Sequence, residues 1–340
     1  MKASVAVVVV AYNDAQTLER CVRTLHTAVE APIVIVDNHS DDDTWSIASG
    51  IAADIPTVAA IRSDRNEGYA AGVSLARETI QVEFLAVSNA DCTTTGDWVS
   101  PLVEFLRRHP DTAAASPTLA LADGSTLNAE GLDIHTTGFG FNRHLGRPLE
   151  MASTQHRSVP GIQGTAFVVS SVALDSIGGW YTGGFLYHED VELSWALRLA
   201  GYDISYVPTP PILHDYRLTM SPEKFFLLER NRLCMLATDL RTTTKLVMFP
   251  AILATEIAVW AYAIRKGTGF ASAKLRSYRS AAARRDERRT RRRAVRSFRT
   301  ISDRELLRSM SWRYPRTQTR TLHRGVASSG RRGDREMPTL

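Results

Sequence analysis

Val5-Ala6-Val7-Val8-Val9-Val10-Ala11-Tyr12-Asn13-Asp14 runs from seven small or β-branched apolar residues straight into a polar cluster. Seven residues suit a strand, and a strand apolar at every position, not at alternate ones, has to be covered on both faces. The pattern recurs at 33–36, 58–61 and 84–87, and the intervening stretches 17–27, 44–53, 68–79 and 97–108 carry helical patterning. Such alternation builds βαβ units, so the sequence predicts an α/β fold whose mostly parallel sheet is flanked by helices. With only one lysine and no small-residue cleavage pattern, residues 1–12 read as a first buried strand and not as a leader.

In a sheet of this kind ligands sit at the carboxyl ends of the strands. Those ends read Tyr12-Asn13-Asp14, Asp37-Asn38-His39-Ser40, Arg62-Ser63-Asp64-Arg65-Asn66 and Asn89-Ala90-Asp91. Asn, Asp and Ser also cap the helices that follow, but four polar ends in register favour a ligand crevice. Further along, Asp123-Gly124 marks a hairpin turn, 165–170 a strand, 191–200 a helix closed by Gly201, and 204–207 a strand before Pro208. From Ser221 to about residue 264 the pattern is helical.

A length of 340 residues gives room for about two domains and a sizeable core. At 44% hydrophobic and 23% charged the chain is neither collagen-like nor disordered throughout. Cys21, Cys92 and Cys234 are far apart without a C-x-x-C, which excludes a disulfide framework or zinc ribbon and fits a reducing compartment. Charge is unevenly spread: residues 265–340 hold 23 Lys/Arg against 6 Asp/Glu, and residues 1–264 hold 18 against 30. An acidic body thus precedes a strongly basic tail. The expected organisation is a catalytic domain over 1–235, a helical, membrane-associating basic region over 236–310 and a partly disordered basic tail over 311–340.

Three constellations can carry chemistry. Asp91, just past a strand end, can bind a hard divalent cation that neutralises nucleotide phosphates. His188-Glu189-Asp190 opens a helix after Gly178-Gly179-Trp180-Tyr181-Thr182-Gly183-Gly184; adjacent carboxylates there either serve the helix dipole or, with their pKa values pushed apart, supply a general base. His214 combined with Asp91 completes a mixed oxygen and nitrogen metal site.

Taken in order, residues 7–13, Ile35-Val36-Asp37-Asn38-His39-Ser40-Asp41-Asp42, Arg65-Asn66-Glu67-Gly68-Tyr69-Ala70-Ala71-Gly72, Ser88-Asn89-Ala90-Asp91 and Glu189-Asp190-Val191-Glu192-Leu193-Ser194-Trp195 through to His214 resemble a family 2 inverting glycosyltransferase of GT-A fold, over roughly residues 1–235. Within it the chain is most similar to the rhamnosyltransferase-like branch of bacterial cell-wall and surface-polysaccharide synthesis. The resemblance implies a nucleotide-sugar donor, dTDP- or UDP-linked, with dTDP-rhamnose the best match, and a polyprenyl-linked or polysaccharide acceptor. It implies that Asp37, Ala11 and Asn13 line the base and ribose pocket, with Asn66 and Gly68 near the ribose and diphosphate. Asn89 takes the first position of the family's metal motif, Asp91 is its acid, and His214 is the second protein ligand for Mg²⁺ or Mn²⁺. Asp190 is implied as the base that deprotonates the acceptor hydroxyl, Glu189 as the residue that orients the acceptor, and Trp180, Tyr181 and Trp195 as packing under a sugar ring.

Residues 246–264 form a 19-residue apolar stretch, long enough to span a bilayer, yet it contains Pro250 and Glu256 and is followed by a cluster of arginines. The reading is a helix lying on the inner leaflet with the arginines at anionic lipid headgroups, hence a cytoplasmic protein peripheral on the inner face of the cell membrane. The run from Arg284 to Arg293 lacks an accompanying nucleic-acid motif, so no nucleic-acid partner is expected. A Gly-rich loop after the first strand, which a nucleotidyltransferase or dehydrogenase requires, is absent. The rival from another class is a noncatalytic GT-A-like scaffold that binds glycan or membrane.

Overall fold

The computed structural model describes residues 4–216 and 219–315; the disorder expected after Ala327 lies outside the described residues. The first half alternates as the sequence predicts: β1 (Val5–Ala11), α1 (Leu18–Ala28), β2 (Ile33–Asp37), α2 (Thr44–Asp54), β3 (Val58–Arg62), α3 (Tyr69–Thr79), β4 (Phe84–Asn89), β5 (Cys92–Thr94) and α4 (Val99–Arg108). There follow β6 (Thr112–Ser116), β7 (Leu119–Leu121), β8 (Leu127–Ala129), β9 (Leu132–Ile134), β10 (Gly140–Asn142), β11 (Arg157–Ser158), β12 (Ala166–Ser170), α5 (Ser171–Ser176), α6 (Glu189–Leu199), β13 (Asp203–Tyr206) and β14 (Ile212–His214). Six helices close the described chain: α7 (Pro222–Asp239), α8 (Thr242–Val247), α9 (Phe249–Lys266), α10 (Thr268–Ala283), α11 (Arg285–Phe298) and α12 (Asp303–Arg308).

The main sheet has eight strands in the order β11-β13-β6-β12-β4-β1-β2-β3. The β1–β2, β1–β4, β2–β3 and β6–β13 pairs are parallel, and β12 enters antiparallel between β4 and β6. The register explains the all-apolar run of β1: alternate residues go to the two faces, with Val7 and Val9 packing under α1 and α4, and Val8 and Val10 under α3. Each fully buried Val contributes about 1.5–3 kcal/mol of apolar burial, so the two-sided strand anchors both layers. A second sheet, β5-β14-β7-β8, carries the hairpin at Asp123-Gly124, whose Asp123 Oδ1 accepts from the amides of Ser125 and Thr126.

The C-terminal helices pack on one another around α7 and α10, and α11 and α12 pack on α6 of the body. The 235/236 boundary expected from sequence falls inside α7, whose first turn is set by Ser221 accepting from Lys224 N and by Pro222 at the first position. The 19-residue apolar stretch is not one helix. It breaks at Met248, with Pro250 in the first turn of the next segment, and among the described residues no helix is long and apolar enough to cross a membrane.

The inward face of α9 meets a buried ionic cluster. Arg232 Nη2 lies 2.8 Å from Glu229 and also binds Glu256, and Lys274 bridges the same two carboxylates, 2.7 Å from Glu256. Tyr278 adds a hydrogen bond to Glu256. The outward face presents Phe249, Leu253, Ala254, Ile257, Ala258 and Ile264, all exposed and without a charge among them. Glu256, the acid that marred the apolar stretch in the sequence, is thus an internal counter-ion.

Candidate active site

The strand ends do converge, and register decides which residues meet. β14 pairs antiparallel with β5 so that His214 stands opposite Cys92, the neighbour of Asp91 in the turn after β4. His214 Nε2 lies 3.4 Å from Asp91 Oδ1, close enough for one cation to be shared between them. On the other side of the ring, Nδ1 faces Asn128 Oδ1 at 3.0 Å and Thr165 Oγ1 at 3.3 Å. With its Nδ1 proton given to Asn128, the imidazole turns its lone pair at Nε2 toward Asp91, which is the orientation a metal ligand needs. The oxygen and nitrogen donors therefore fit Mg²⁺ or Mn²⁺ as two protein ligands. Among the described residues no group of three or more His, Cys, Asp and Glu side chains gathers into a fuller cage, which leaves other positions for phosphate oxygens and water.

The carboxylate pair sits at the start of α6. Asp190 Oδ2 accepts from Gly164 N at 3.2 Å, and Oδ1 from Val191 N at 2.8 Å. Burial pushes its carboxyl up, and these two amides oppose that shift. Glu189 is pushed up to about 8 by burial and by the charge of Asp190, and its Oε2 is buried without a hydrogen-bond partner. The preceding loop is held in an uncommon conformation, with Phe185, Tyr187 and His188 all at positive φ. His188 Nε2 is 2.7 Å from Gly138 O, and burial lowers its pKa to about 4, so it is neutral at physiological pH.

The two halves meet at Gly164-Thr165. Gly164 N holds Asp190 while Thr165 Oγ1 touches His214, so adjacent residues, about 3.8 Å apart at Cα, link the carboxylate pair to the Asp91–His214 pair. Tyr69 stands between them: its hydroxyl donates to Gly164 O at 3.2 Å, and the charges of Glu189, Asp91 and Asp190 act on it, adding to the burial that raises its pKa. Sequence reading missed Tyr69, Asn128 and Gly164-Thr165. Tyr69 had a signal, since it opens a helix directly after Gly68; the other two had none.

On the opposite flank, Asn66 Oδ1 accepts from Asn38 Nδ2 and Gly68 N, and Asn13 N donates to Ser40 Oγ. Asp37 and Ala11 are fully enclosed; Asp37 receives Ser40 N at Oδ1 and Arg62 Nε at 3.1 Å. Asn89 N donates to Thr165 O and so ties the end of β4 to the same dipeptide. Gly68, at φ 93° and ψ 175°, admits the backbone of Phe185, whose carbonyl would lie 1.8 Å from any Cβ at this position and which accepts from Tyr69 N.

The aromatic expectation is corrected. Trp195 is wholly buried in the core beside Leu132, Ile134 and Leu199, and Trp180 packs edge-on against Tyr69 and Phe167 while its indole N–H donates to Glu189 O. Tyr181 donates to Glu287 and lies under the Arg291 guanidinium. The two buried indoles are therefore not platforms for a sugar ring, whereas Tyr181 is half-buried. A small pocket borders Glu189, with Tyr181, Gly183, Asn231, Cys234 and Arg284 among its walls.

Residues 6–177 match Glycosyl transferase family 2. The chain is 27% identical over 234 residues to the N-acetylglucosaminyl-diphospho-decaprenol L-rhamnosyltransferase of Mycobacterium tuberculosis, covering 61% of this chain and 75% of that one. It is 26% identical over 222 residues to the pre-mycofactocin glycosyltransferase of the same organism, covering 63% and 43%. Among solved structures, a GalNAc-T7 complex with UDP, GalNAc and Mn²⁺ aligns with TM-score 0.58 at 18% identity, over 72% of this chain and 49% of that one. The mannosyltransferase PcManGT of Pyrobaculum calidifontis, with GDP-Man and Mn²⁺, aligns with TM-score 0.52 at 17% identity, over 88% and 85%.

Proposed function

Since the chain belongs to Glycosyl transferase family 2, we propose that it moves a sugar from a nucleotide diphosphate donor to a lipid-linked or polysaccharide acceptor with inversion at the anomeric carbon. The observation that carries the reading is the Gly164-Thr165 bridge, which sets a potential base and a potential cation site side by side. The likeness to a rhamnosyltransferase favours dTDP-rhamnose as donor and a polyprenyl-linked acceptor in cell-envelope glycan synthesis.

In this reading Asp190 accepts the proton of the acceptor hydroxyl, whose oxygen forms the new bond to the anomeric carbon while the bond to the nucleotide diphosphate breaks. The amides of Gly164 and Val191 fix the carboxylate in position for that transfer. Glu189 orients the acceptor, and Tyr69 stands between the carboxylate pair and the Asp91–His214 pair. Asp91 and His214 would hold Mg²⁺ or Mn²⁺, which would supply charge neutralisation to the leaving diphosphate. The strand-end residues Ala11, Asn13, Asp37, Asn66, Gly68 and Asn89 shape the nucleotide side. The exposed apolar face of α9 and the exposed arginines of α11 support a peripheral position on anionic inner-leaflet lipid.

The test is calorimetric binding of UDP, dTDP and GDP with and without Mn²⁺, joined to transfer assays. Asp91→Asn removes metal-dependent nucleotide binding, whereas Asp190→Asn abolishes transfer and retains nucleotide binding. If neither substitution affects any transfer reaction, the assignment of Asp91 and Asp190 fails; if none of the three nucleotides binds the folded chain, the noncatalytic scaffold takes the place of this reading.

A further inference from the structure

The loop that delivers the carboxylate pair is fastened to α7 through its backbone carbonyls. Phe185, Tyr187 and His188 stand at φ 64°, 64° and 74°, a left-handed region that residues with a Cβ keep only where their surroundings over-determine it. Asn231, on α7 and only 9% exposed, supplies much of that constraint. Its Nδ2 donates to Gly184 O at 2.9 Å, Leu186 O at 3.1 Å and Tyr187 O at 2.7 Å. The amide has two hydrogens for three oxygens, so one hydrogen is shared. Arg230 braces it: Nη2 donates to the same Gly184 O at 2.6 Å, and Nε donates to Asn231 Oδ1 at 3.0 Å. With Oδ1 taken by the guanidinium, the amide can turn only its NH₂ toward the loop.

The other carbonyls of the loop are taken as well. Phe185 O points away from α7 and accepts from Tyr69 N at 3.1 Å, and His188 O accepts from Glu192 N at 3.0 Å to open α6. From Gly184 to His188 every carbonyl therefore has a partner, and the chain leaves the clamp at Glu189. Asp190 then reaches Gly164 N and Val191 N. A shift of this loop moves the carboxylate pair on one side and Tyr69 on the other, because each is joined to it directly by backbone.

We infer that Asn231, braced by Arg230, is a positioning residue for sugar transfer: by holding the carbonyls of Gly184, Leu186 and Tyr187 it sets Glu189 and Asp190 against the acceptor and keeps Phe185 on Tyr69. The inference rests on the transferase reading above and adds a residue of the C-terminal helices to its working parts. Its leverage is geometric, since a misplacement of about 1 Å at a reacting group costs on the order of 100-fold in rate. An anchor that only stabilised the fold would lower the melting temperature and leave the rate of the surviving folded chain unchanged.

Amide hydrogen exchange in the full chain reads the clamp without any substrate. Asn231→Asp keeps the shape and the Arg230 contact but offers the three carbonyls no donor when ionised. In it, exchange should quicken about tenfold or more at Gly164 N, which Asp190 holds, and at Tyr69 N, which Phe185 holds. Leu240→Ala, a core truncation just past the end of α7, should leave both amides within about twofold. Turnover is the second readout, with water as the acceptor and Mn²⁺ present, using dTDP-rhamnose first and then the sugar donor of whichever nucleotide binds in calorimetry. Asn231→Asp should lose about 10–100-fold in kcat with the donor KM within about twofold, and Asn231→Gln, which restores the amide, should recover part of the loss. If Asn231→Asp does not fold, Arg230→Met, which removes the brace and the second donor to Gly184 O, should show the same pattern more weakly. Unchanged exchange at Gly164 and Tyr69, equal quickening in Leu240→Ala, or a loss confined to KM would each overturn the assignment. Exchange that quickens as stated in a chain that turns over no donor sinks the transferase reading alone. Turnover that the Asn231 and Arg230 variants leave at full kcat sinks this inference alone.

Discussion

Replacing Glu256 by Gln removes one of two carboxylates that neutralise Arg232 and Lys274, both of which have no side-chain exposure. Glu229 is then left to face two buried cations. The native carboxyl is held at about 2, against an ordinary 4.5, because the favourable charges of Arg232 and Lys274 outweigh the cost of burial. That depression corresponds to about 3 kcal/mol of interaction at neutral pH, within the roughly 3–5 kcal/mol expected when a buried ion pair loses one partner. The sign follows from the lowered value: the contribution is complete above about pH 4.5 and fades as pH falls toward 2. By pH 3 about half of it, roughly 1.4 kcal/mol, remains. Urea unfolding followed by tryptophan fluorescence should therefore show Glu256→Gln destabilised by about 3 kcal/mol at pH 7, with the gap to the native chain narrowing by pH 3. An unchanged midpoint at pH 7, or a gap that stays constant with pH, would refute the view that this acid serves as an internal counter-ion.

Glu189, raised to about 8 by burial and by Asp190, has the opposite sign: the folded chain loses stability as pH rises through the interval from about 4.5 to 8. Glu189→Gln should remove that slope, seen as a midpoint of thermal unfolding that falls less between pH 6 and pH 8.5 than the native one. Gly68→Ala puts a Cβ against Phe185 O in a backbone region open almost only to glycine, so it should cost about 1–3 kcal/mol and depress transfer together with nucleotide binding. Asn128→Ala frees the Nδ1 side of His214 and should weaken Mn²⁺-dependent nucleotide binding about 10–100-fold, with metal-independent binding unchanged in calorimetry.

The strands were readable because burial on both faces forces an unbroken apolar run, as in β1, and the ends of such runs locate the crevice. Asp91, Glu189-Asp190 and His214 were legible for the same reason: each lies at the end of a regular element, where a polar residue is conspicuous. Tyr69, Asn128 and Gly164-Thr165 were not, since their roles arise from the β5–β14 register and from backbone groups, which leave no mark in residue type. Trp180 and Trp195 misled because an indole that covers a core and one that stacks on a sugar look alike in one dimension. Glu256 read as a flaw in an apolar stretch because its partners Arg232 and Lys274 are 24 and 18 residues away.

The crossing of Gly68 and Phe185 bears on how such a protein can be recombined. The loop before α3 and the loop before α6 are separated by more than a hundred positions, yet Tyr69 N is bonded to Phe185 O across a gap that admits no side chain. Any chimera that imports residues 62–69 from a relative without its segment 181–188 breaks a fitted joint. On this scaffold the two loops are therefore one exchangeable block and not two.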